Sequence, residues 1–220
     1  MIPNSDNVQV LSSAPDHAER MEDLMHQSYG TTRDDPDEVF TAAMFRHHLQ
    51  VFPAGQFVAL CNDRVVGLTV SARTPFDLAY PPMQPWWQSA GEGWLTHDPR
   101  AAWMLGVESV VHPDYRSAGV GGRLMAARFA IARSLNLRGM IAGSAIVSYG
   151  QVSESVSVED YVRGVIAGTY FDMNLSKQIK KGFVPGVLIP DYLPGDTGSR
   201  AWGVTIVWHN RDHDPTRPIL

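Results

Sequence analysis

The 220-residue sequence contains little cysteine, little excess basic charge and no long apolar run. Cys61 is the single cysteine, so no disulfide can form within the chain, and a reducing cytoplasm is the expected location. The formal net charge of −5 disfavours a nucleic-acid partner, which requires a basic surface. No apolar run approaches the ~18 residues of a membrane span, and the polar N-terminus lacks a signal-peptide pattern. We therefore expect a soluble protein without a membrane partner.

Composition and length indicate an ordinary globular protein. Hydrophobic residues make up 44% of the chain and charged residues 19%. A chain of this length can bury a substantial core, and it shows neither an internal repeat nor an interdomain linker. We predict a single α/β domain over residues 1–220, with a polar and loosely attached tail after about residue 210.

Hydrophobic periodicity predicts an alternation of strands and helices. Strands are predicted at residues 8–11, 56–61, 64–72, 103–111, 140–147, 183–189 and 202–208. Helices are predicted at residues 16–29, 36–50, 120–136, 158–168 and from a cap at Asp172 to about residue 181. The strand, helix and strand between residues 103 and 147 form a βαβ unit, so these two strands should be parallel.

Residues 74–100 do not fit this alternation, since they contain five prolines and three tryptophans with little periodicity. Loops of this length in compact domains are usually functional or disordered, and the aromatic content favours order. Two interpretations stay open for Trp86, Trp87 and Trp94. They either line a pocket for a substrate, or they attach the loop to the core.

A glycine-rich turn joins the strand at 103–111 to the following helix. Gly119, Gly121 and Gly122 allow tight backbone conformations and close approach of a ligand. Arg116 precedes them, and the free N–H groups of the helix N-terminus favour an anion such as a phosphate. A tight strand–helix junction without a ligand is the alternative. Neither a Walker pattern nor a complete GxGxxG is present, which disfavours a nucleotide-binding protein of those classes.

The string from Val111 to Leu124, V-x-P-x-Y-R-x-x-G-V-G-G-x-L, resembles motif A of the GNAT superfamily of N-acetyltransferases. Further segments resemble the GNAT domain found fused to carbon–nitrogen (nitrilase-like) hydrolases, here standing alone: 52–56, 96–99, 159–162, 181–183 and 190–194. The resemblance covers about residues 10 to 210. It implies an α/β (α+β) fold, with a mixed central sheet of six to seven strands flanked by helices. Parallel strands 4 and 5 should splay apart.

The resemblance also implies a cofactor and its site. Acetyl-CoA would be the co-substrate, with its pantetheine arm between strands 4 and 5, paired with the backbone of Val110 and Val111. Asn174 and Gln178 would lie near that arm. The pyrophosphate would be held by Arg116, Ser117, Ala118, Gly119, Val120, Gly121, Gly122 and Arg123. No histidine or cysteine spacing indicates a metal site.

Catalysis is predicted less directly. Glu108, on the strand before the turn, is the candidate general base, and burial there would raise its pKa. The alternative is a carboxylate facing solvent. The family's usual acid is a tyrosine four residues before the Gly182-Phe183 pair, but that position is Gln178, which cannot protonate a thiolate. Tyr149 is the candidate replacement, with Tyr161 and Tyr170 also near in sequence.

Two functions follow from the resemblance. The first is an N-acetyltransferase that transfers acetyl directly to a primary amine in a ternary complex. The acceptor stays open among small amines, amino acids, polyamines, antibiotics and protein N-termini, although the acidic balance favours a cationic one. The second is an acyl-CoA-binding regulatory or partner module of a separate amidase, with little catalysis of its own. The resemblance also implies that a homodimer can form.

Overall fold

The computed structural model describes residues 7–34, 39–79, 81 and 83–220. Its strands are β1 Val8–Ser12, β2 Phe57–Cys61, β3 Arg64–Thr74, β4 Trp103–Val111, β5 Gly139–Ala145, β6 Val184–Ile189 and β7 Gly203–His209. Its α-helices are α1 Ala18–Tyr29, α2 Ala42–Val51, α3 Trp86–Ser89, α4 Val120–Ser134, α5 Val158–Ala167 and α6 Leu175–Ile179. Every predicted strand is present, within two residues at each end.

The strands form one seven-stranded sheet in the order β1-β2-β3-β4-β5-β7-β6. Strands β4 and β5 are parallel, as the βαβ pattern predicted, and each remaining pair of neighbours is antiparallel. This mixed sheet confirms the predicted fold class. The parallel pair lies near the middle of the sheet, where helices cover both faces.

The helices divide between the two faces of the sheet because successive strand residues point to opposite sides. On β2, for example, Val58 packs in the cluster formed with α1 and α2, whereas Phe57 and Ala59 pack in the cluster that contains α4. Helices α5 and α6 pack on the α4 side, in a cluster with Met104 and Met140 of the parallel strands. Burial of each large apolar side chain contributes about 1.5–3 kcal/mol.

Local signals determine several boundaries as predicted. Helix α1 ends at Gly30, whose φ of 72° is left-handed. Asn62 and Asp63 form the two-residue turn between β2 and β3, with φ of 47° and 62°. The Ser157 hydroxyl caps α5 by accepting from the N–H of Asp160 at 3.1 Å. Asp172 is buried and accepts from the N–H of Leu175 at 2.8 Å, which fixes the start of α6.

Helix α2 begins later than predicted. It starts at Ala42, and the Thr41 hydroxyl accepts from the N–H of Met44 at 3.3 Å as its cap. The predicted start at residues 36–38 lies outside the described residues. Val39 and Phe40, which we predicted to be helical, precede the helix and are buried in the core. Burial of these two side chains in the core therefore determines their conformation, and the helical spacing of apolar residues does not.

Residues 74–100 contain the short helix α3, which the sequence did not predict. The indole of Trp86 is buried and its Nε1–H donates to the Val107 carbonyl at 2.9 Å. Trp87 stacks on Phe40, with ring centroids 5.8 Å apart. Trp94 is 45% exposed and contacts His47. The first two tryptophans thus attach the loop to the core, and Trp86 also reaches strand β4.

The expectation of a loosely attached tail after residue 210 is wrong. The amide of Asn136 donates to the Asp214 carbonyl at 2.9 Å and to the Arg217 carbonyl at 3.0 Å. The N–H of Leu220 donates to the Leu135 carbonyl at 3.2 Å. The tail therefore satisfies polar groups at the C-terminal end of α4. In the described part of the chain, no helix is long and apolar enough to cross a membrane.

Candidate active site: a cleft between two parallel strands

Strands β4 and β5 pair over a short distance and then separate. Residues Trp103–Leu105 pair with Gly139–Ile141, and no pairing between the two strands is present beyond that point in the described residues. A cavity of about 800 Å³ opens in the gap. The pairing of β4 with β3 contains a β-bulge here. Val70 of β3 pairs with Glu108, and the next residue, Ser71, pairs with Gly106. Val107 is therefore the extra residue of the bulge. The bulge turns β4 away from β5.

Arg128 of α4 holds this bulge in place. Its side chain is buried, with the Nε–H donating to the Ser71 hydroxyl at 3.0 Å and Nη2 donating to the Glu108 carbonyl at 2.9 Å. Nη2 also donates to the Val70 carbonyl. Burial lowers the pKa of Arg128 to about 10, so the guanidinium keeps its charge at neutral pH. No pattern in the sequence indicated this role of Arg128.

The glycine-rich turn lies at the wide end of the cleft. A 3₁₀ turn over Pro113–Tyr115 leads to Ser117 and Gly119, with φ of 66° and 78°, and α4 then begins at Val120. Four donors of this turn have no hydrogen-bond partner among the described residues: the N–H groups of Ser117, Gly119, Val120 and Gly121, whereas that of Ala118 donates to the Tyr115 carbonyl at 3.4 Å. Unpartnered N–H groups at a helix N-terminus attract an anion.

Packing within the chain does not explain the glycines that follow. A Cβ added at Gly122 would meet nothing within 4 Å, and one at Gly121 would meet only Val111 Cγ2, at 3.6 Å. Both residues are in a helix, where glycine costs about 1 kcal/mol relative to alanine. The space that a Cβ would fill is therefore kept open at an energetic cost, which suits a ligand that approaches the backbone closely.

The two arginines of the turn differ in position. Arg116 is exposed, and its side chain makes no hydrogen bond or ion pair with any residue that the structure describes, although its N–H donates to the Pro113 carbonyl at 3.2 Å. Arg123 donates from Nη1 to the Val8 carbonyl of β1 at 2.8 Å, and its own N–H donates to the Gly119 carbonyl within the helix. The predicted role of Arg123 at the pyrophosphate is therefore withdrawn, whereas Arg116 has the freedom that such a role requires.

The free edge of β4 can be assigned from its hydrogen bonds. The N–H of His112 donates to the Val66 carbonyl of the β3 side at 2.9 Å. Hydrogen-bonded pairs alternate along an antiparallel ladder, so the backbone of Val110 also points to β3. The backbone groups of Ser109 and Val111 point to the gap instead. Of the two predicted pantetheine contacts, Val111 thus faces the cleft, and Ser109 takes the place of Val110.

Glu108 lies at the other end of the gap. Its Oε2 accepts from the Tyr29 hydroxyl at 3.1 Å and its Oε1 from the N–H of Ser109 at 2.7 Å. Burial raises the pKa of Glu108, and these two hydrogen bonds together with the charge of Arg128 oppose that rise. The carboxylate therefore combines an elevated pKa with a fixed orientation, as a general base requires.

Tyr192, in the connection between β6 and β7, also lines the cleft. Its ring lies against Gly143 of β5, where an added Cβ would come within 2.3 Å of Cζ. Burial and the negative charge of Glu108 raise the pKa of Tyr192 above its usual range, so the phenol stays protonated. Tyr29 and Tyr192 come from segments far from Glu108 in sequence. Tyr192 lies in the segment 190–194 that carries part of the resemblance, but the sequence assigned neither tyrosine a role.

The predicted acid Tyr149 is turned away from the cleft. Its hydroxyl donates to the Val156 carbonyl at 3.1 Å. Tyr161 donates to Asp172 at 3.1 Å, and its ring packs between those of Tyr149 and Tyr170. These three tyrosines attach α5 to the loop before α6 and do not line the cleft. The position of Tyr149 therefore does not support its predicted role as an acid, whereas Tyr192 lines the cleft.

Asn174 and Gln178 line the cleft on the α6 side, where the sequence predicted them. The Asn174 amide donates to the Ala145 carbonyl at the end of β5, at 3.3 Å. Gln178 Oε1 and the Ser144 hydroxyl are buried without a partner in the described residues. These polar atoms suit a ligand with amide groups. Over the same residues, no three His, Cys, Asp or Glu side chains are grouped so as to hold a metal ion.

Known proteins resemble the chain in sequence. No protein-family model matches it. It is 36% identical over 169 residues to the probable hydrolase YhcX of Bacillus subtilis, covering 76% of the chain but 33% of YhcX. It is 29% identical over 164 residues to the uncharacterized N-acetyltransferase YkwB of Bacillus subtilis, covering 74% of the chain and 72% of YkwB. The chain thus spans about a third of the longer relative.

Solved structures share the fold. The GphF GNAT-like decarboxylase in complex with isobutyryl-CoA matches with a TM-score of 0.77 and 22% identity, over 91% of this chain and 98% of that one. The loading GNATL domain of CurA from Lyngbya majuscula matches with a TM-score of 0.74 and 14% identity, over 92% and 97%. The yncA protein from Salmonella typhimurium, described as a putative acetyltransferase, was solved with its cofactor acetyl-CoA. It matches with a TM-score of 0.57 and 12% identity, over 97% of this chain and 98% of that one. The chain is therefore a protein of the GNAT fold.

Proposed function

We propose that this protein is an acetyl-CoA-dependent N-acyltransferase that transfers the acyl group directly to a primary amine. The observation that carries the proposal is the set of unpartnered N–H groups in the glycine-rich turn, which directly follows the strand that carries Glu108. The fold neighbours solved with acyl-CoA ligands and the relative named as an N-acetyltransferase support it.

The binding half of the site uses backbone groups and one arginine. The N–H groups of Ser117, Gly119, Val120 and Gly121 and the Arg116 guanidinium would hold the pyrophosphate. The Ser109 carbonyl and the backbone of Val111, on the free edge of β4, would pair with the amides of the pantetheine arm. Asn174 and Gln178 would supply side-chain partners from α6. When bound, the cofactor supplies the thioester that is to be attacked.

Glu108 would prepare the acceptor. An ammonium group placed at its carboxylate transfers a proton to Glu108, and the neutral amine then attacks the thioester carbonyl. The new C–N bond forms, the C–S bond breaks, and the second proton of the attacking nitrogen is transferred to the leaving thiolate. Tyr29 and the N–H of Ser109 hold the carboxylate in one orientation throughout.

Tyr192 would act on the leaving group as a hydrogen-bond donor. A thiol has a pKa of about 8.5 and an ordinary phenol about 10, so proton transfer from phenol to thiolate is unfavourable. The raised pKa of Tyr192 makes it more so. The hydroxyl therefore stabilises the developing thiolate by donating a hydrogen bond, and the proton itself comes from the amine.

The charge around the cleft indicates the class of acceptor. Glu108 and Asp196 both line it, together with the hydroxyls of Tyr29 and Tyr192. Carboxylates beside aromatic rings favour a cation, so we propose a small amine that is an ammonium ion in solution.

A cytoplasmic location and a homodimer remain predictions.

A second candidate is an acyl-CoA-binding module that partners a separate amidase. Two observations favour it: Gln178 occupies the position at which GNAT enzymes carry their usual tyrosine, and the chain matches a third of a probable hydrolase. Such a module would bind acetyl-CoA through the same turn but would not need Glu108 or Tyr192.

Two measurements test the proposal. Isothermal titration should show acetyl-CoA binding that Arg116→Glu weakens by at least tenfold, whereas Arg138→Glu, outside the turn, leaves it unchanged. Thiol release in the presence of a panel of primary amines should show acceptor-dependent turnover. Binding without turnover supports the module, and wild-type affinity weaker than millimolar contradicts both functions.

A further inference from the structure

A second, smaller cavity lies at the narrow end of the cleft, where β4 and β5 begin to separate. Its volume is about 40 Å³. It shares six lining residues with the main cleft and is therefore continuous with it: Trp86, Gly106, Val107, Ala142, Gly143 and Tyr192. Its other walls are mainly apolar, with Phe76, Leu105, Ile141 and Ile189. Carbon atoms suit such a surface better than charged groups do.

The position of this cavity follows from the direction of the cleft. The glycine-rich turn adjoins Val111, and the free edge of β4 runs from there back to Gly106. Strands rise about 3.3 Å per residue, so the edge between these two residues spans about 16 Å. A ligand whose phosphates lie at the turn and whose arm follows this edge places its far end beside Gly106. The small cavity lies directly beyond that end.

We propose that this cavity, the acyl pocket, receives an uncharged acyl chain of three or four carbons. The inference rests on the proposed function, because it assumes a thioester in the cleft. A cavity needs about 10–15 Å³ for each water-sized group, so 40 Å³ accommodates about three heavy atoms. That number matches the three carbons of a butyryl or isobutyryl group beyond the carbonyl, and the two carbons of a propionyl group also fit. An acetyl group would leave part of the pocket unfilled.

The charge of the occupant is also determined by the walls. Glu108 and Arg128 line the main cleft, whereas no acidic or basic side chain lines the acyl pocket itself within the described residues. An acyl group that ends in a carboxylate would be desolvated there without a basic partner in the pocket. The pocket therefore selects against malonyl-type groups of the same length.

Thr205 of β7 provides the variant that tests the pocket. It lines the acyl pocket, is 5% exposed, and its hydroxyl has no partner in the part of the chain that the structure describes. Thr205→Ile fills the pocket with carbon, breaks no hydrogen bond and keeps a β-branched residue in the strand. Thr205→Val removes the hydroxyl without filling the pocket. Thr69→Val is the matched control, because Thr69 is also buried with an unpartnered hydroxyl but lines neither cavity.

The experiment is isothermal titration of the whole chain with free CoA and with acetyl-, propionyl-, butyryl-, isobutyryl- and malonyl-CoA. Each buried methylene contributes about fourfold in affinity, so butyryl-CoA, with two more methylenes, should bind about 16-fold more tightly than acetyl-CoA. Thr205→Ile should abolish this gain and keep the affinity for acetyl-CoA within twofold. Thr205→Val and Thr69→Val should retain the gain, and malonyl-CoA should bind no more tightly than acetyl-CoA.

Each outcome has a distinct meaning. If CoA and acetyl-CoA bind but the longer esters bind no more tightly than acetyl-CoA, the acyl pocket is overturned and the proposed function is left intact. Tightest binding of malonyl-CoA overturns the assignment of an uncharged chain. Absence of binding by every thioester contradicts the proposed function itself, and the acyl pocket with it. Should Thr205→Ile fail to fold, Leu105→Phe fills the same pocket from β4 and takes its place in the test.

Discussion

The two ends of the cleft are built in different ways. At the wide end, the glycine-rich turn consists of neighbouring residues, and its functional groups are backbone N–H groups that side chains of the protein leave unpartnered. At the narrow end, Glu108 of β4, Tyr29 of α1 and Tyr192 of the β6–β7 connection meet through space, and side chains are the functional groups. Substitutions should therefore separate cofactor binding from the chemical step.

The largest effect is expected at Glu108. Glu108→Gln removes the base but retains a polar side chain at the bulge, so turnover should fall by about 10²–10⁴-fold. Cofactor affinity should stay within twofold of wild type, because the carboxylate lies away from the turn. Steady-state thiol release and isothermal titration measure the two quantities. Equal losses in both would show that the two ends are not separable.

A comparable effect, but on binding alone, is expected at the turn. Gly121→Asp places a carboxylate in the open space that we assign to the diphosphate, so acetyl-CoA affinity should fall by about 100-fold or more. Gly121→Ala is the matched variant. It should stabilise the unliganded protein by up to about 1 kcal/mol, because alanine favours helix and meets no obstacle within the chain.

Gly121→Ala should nonetheless weaken binding about tenfold, since its methyl group occupies the ligand's space. Thermal unfolding of the free protein and titration with acetyl-CoA test the two halves of this prediction. A variant that is both more stable and equally tight in binding would contradict the assignment of the open space to a ligand.

A smaller effect is expected at Tyr192. Tyr192→Phe removes one hydrogen-bond donor to the leaving thiolate, which should lower kcat by about 10–100-fold with little change in acetyl-CoA affinity. Tyr149→Phe is the control, because its hydroxyl bonds to Val156 outside the cleft. That variant should keep full activity and lose about 1 kcal/mol of stability. The reverse ranking would restore Tyr149 as the functional residue.

The smallest effect concerns pH. Glu108 must be ionised to accept a proton, so activity should fall as the pH drops through its raised pKa. The Tyr29 hydroxyl bond stabilises the ionised form and lowers that pKa. Tyr29→Phe should therefore move the acidic limb of the kcat/KM profile to higher pH. An unchanged or downward-shifted limb would show that Glu108 is not the group that titrates.

The wide end of the cleft was predictable because its signals are local. Strand β4, the turn and α4 follow one another in sequence, and glycines mark the conformation directly. The hairpin at Asn62 and Asp63 and the cap at Ser157 were predicted for the same reason. In each case, the residue that carries the signal makes the contact.

The narrow end was not predictable, because tertiary structure determines it. In the sequence, Arg128 is indistinguishable from the exposed polar residues of α4. In the structure it is buried and holds the bulge that separates β4 from β5. The sequence interpretation favoured Tyr149, although Tyr192 lies nearer to position 178, and the Tyr149 hydroxyl bonds outside the cleft. Arg123 belongs to the motif but bonds to β1. The direction of a side chain depends on which elements pack together, and sequence spacing does not contain that information.

A crystal structure of the protein with coenzyme A tests the central claim most directly. The account predicts diphosphate oxygens within about 3.2 Å of the backbone nitrogens of Gly119, Val120 and Gly121, with the arm along the β4 edge and the sulfur beside Glu108 and Tyr192. A turn that is empty at saturating coenzyme A, or a diphosphate bound elsewhere on the molecule, would contradict it.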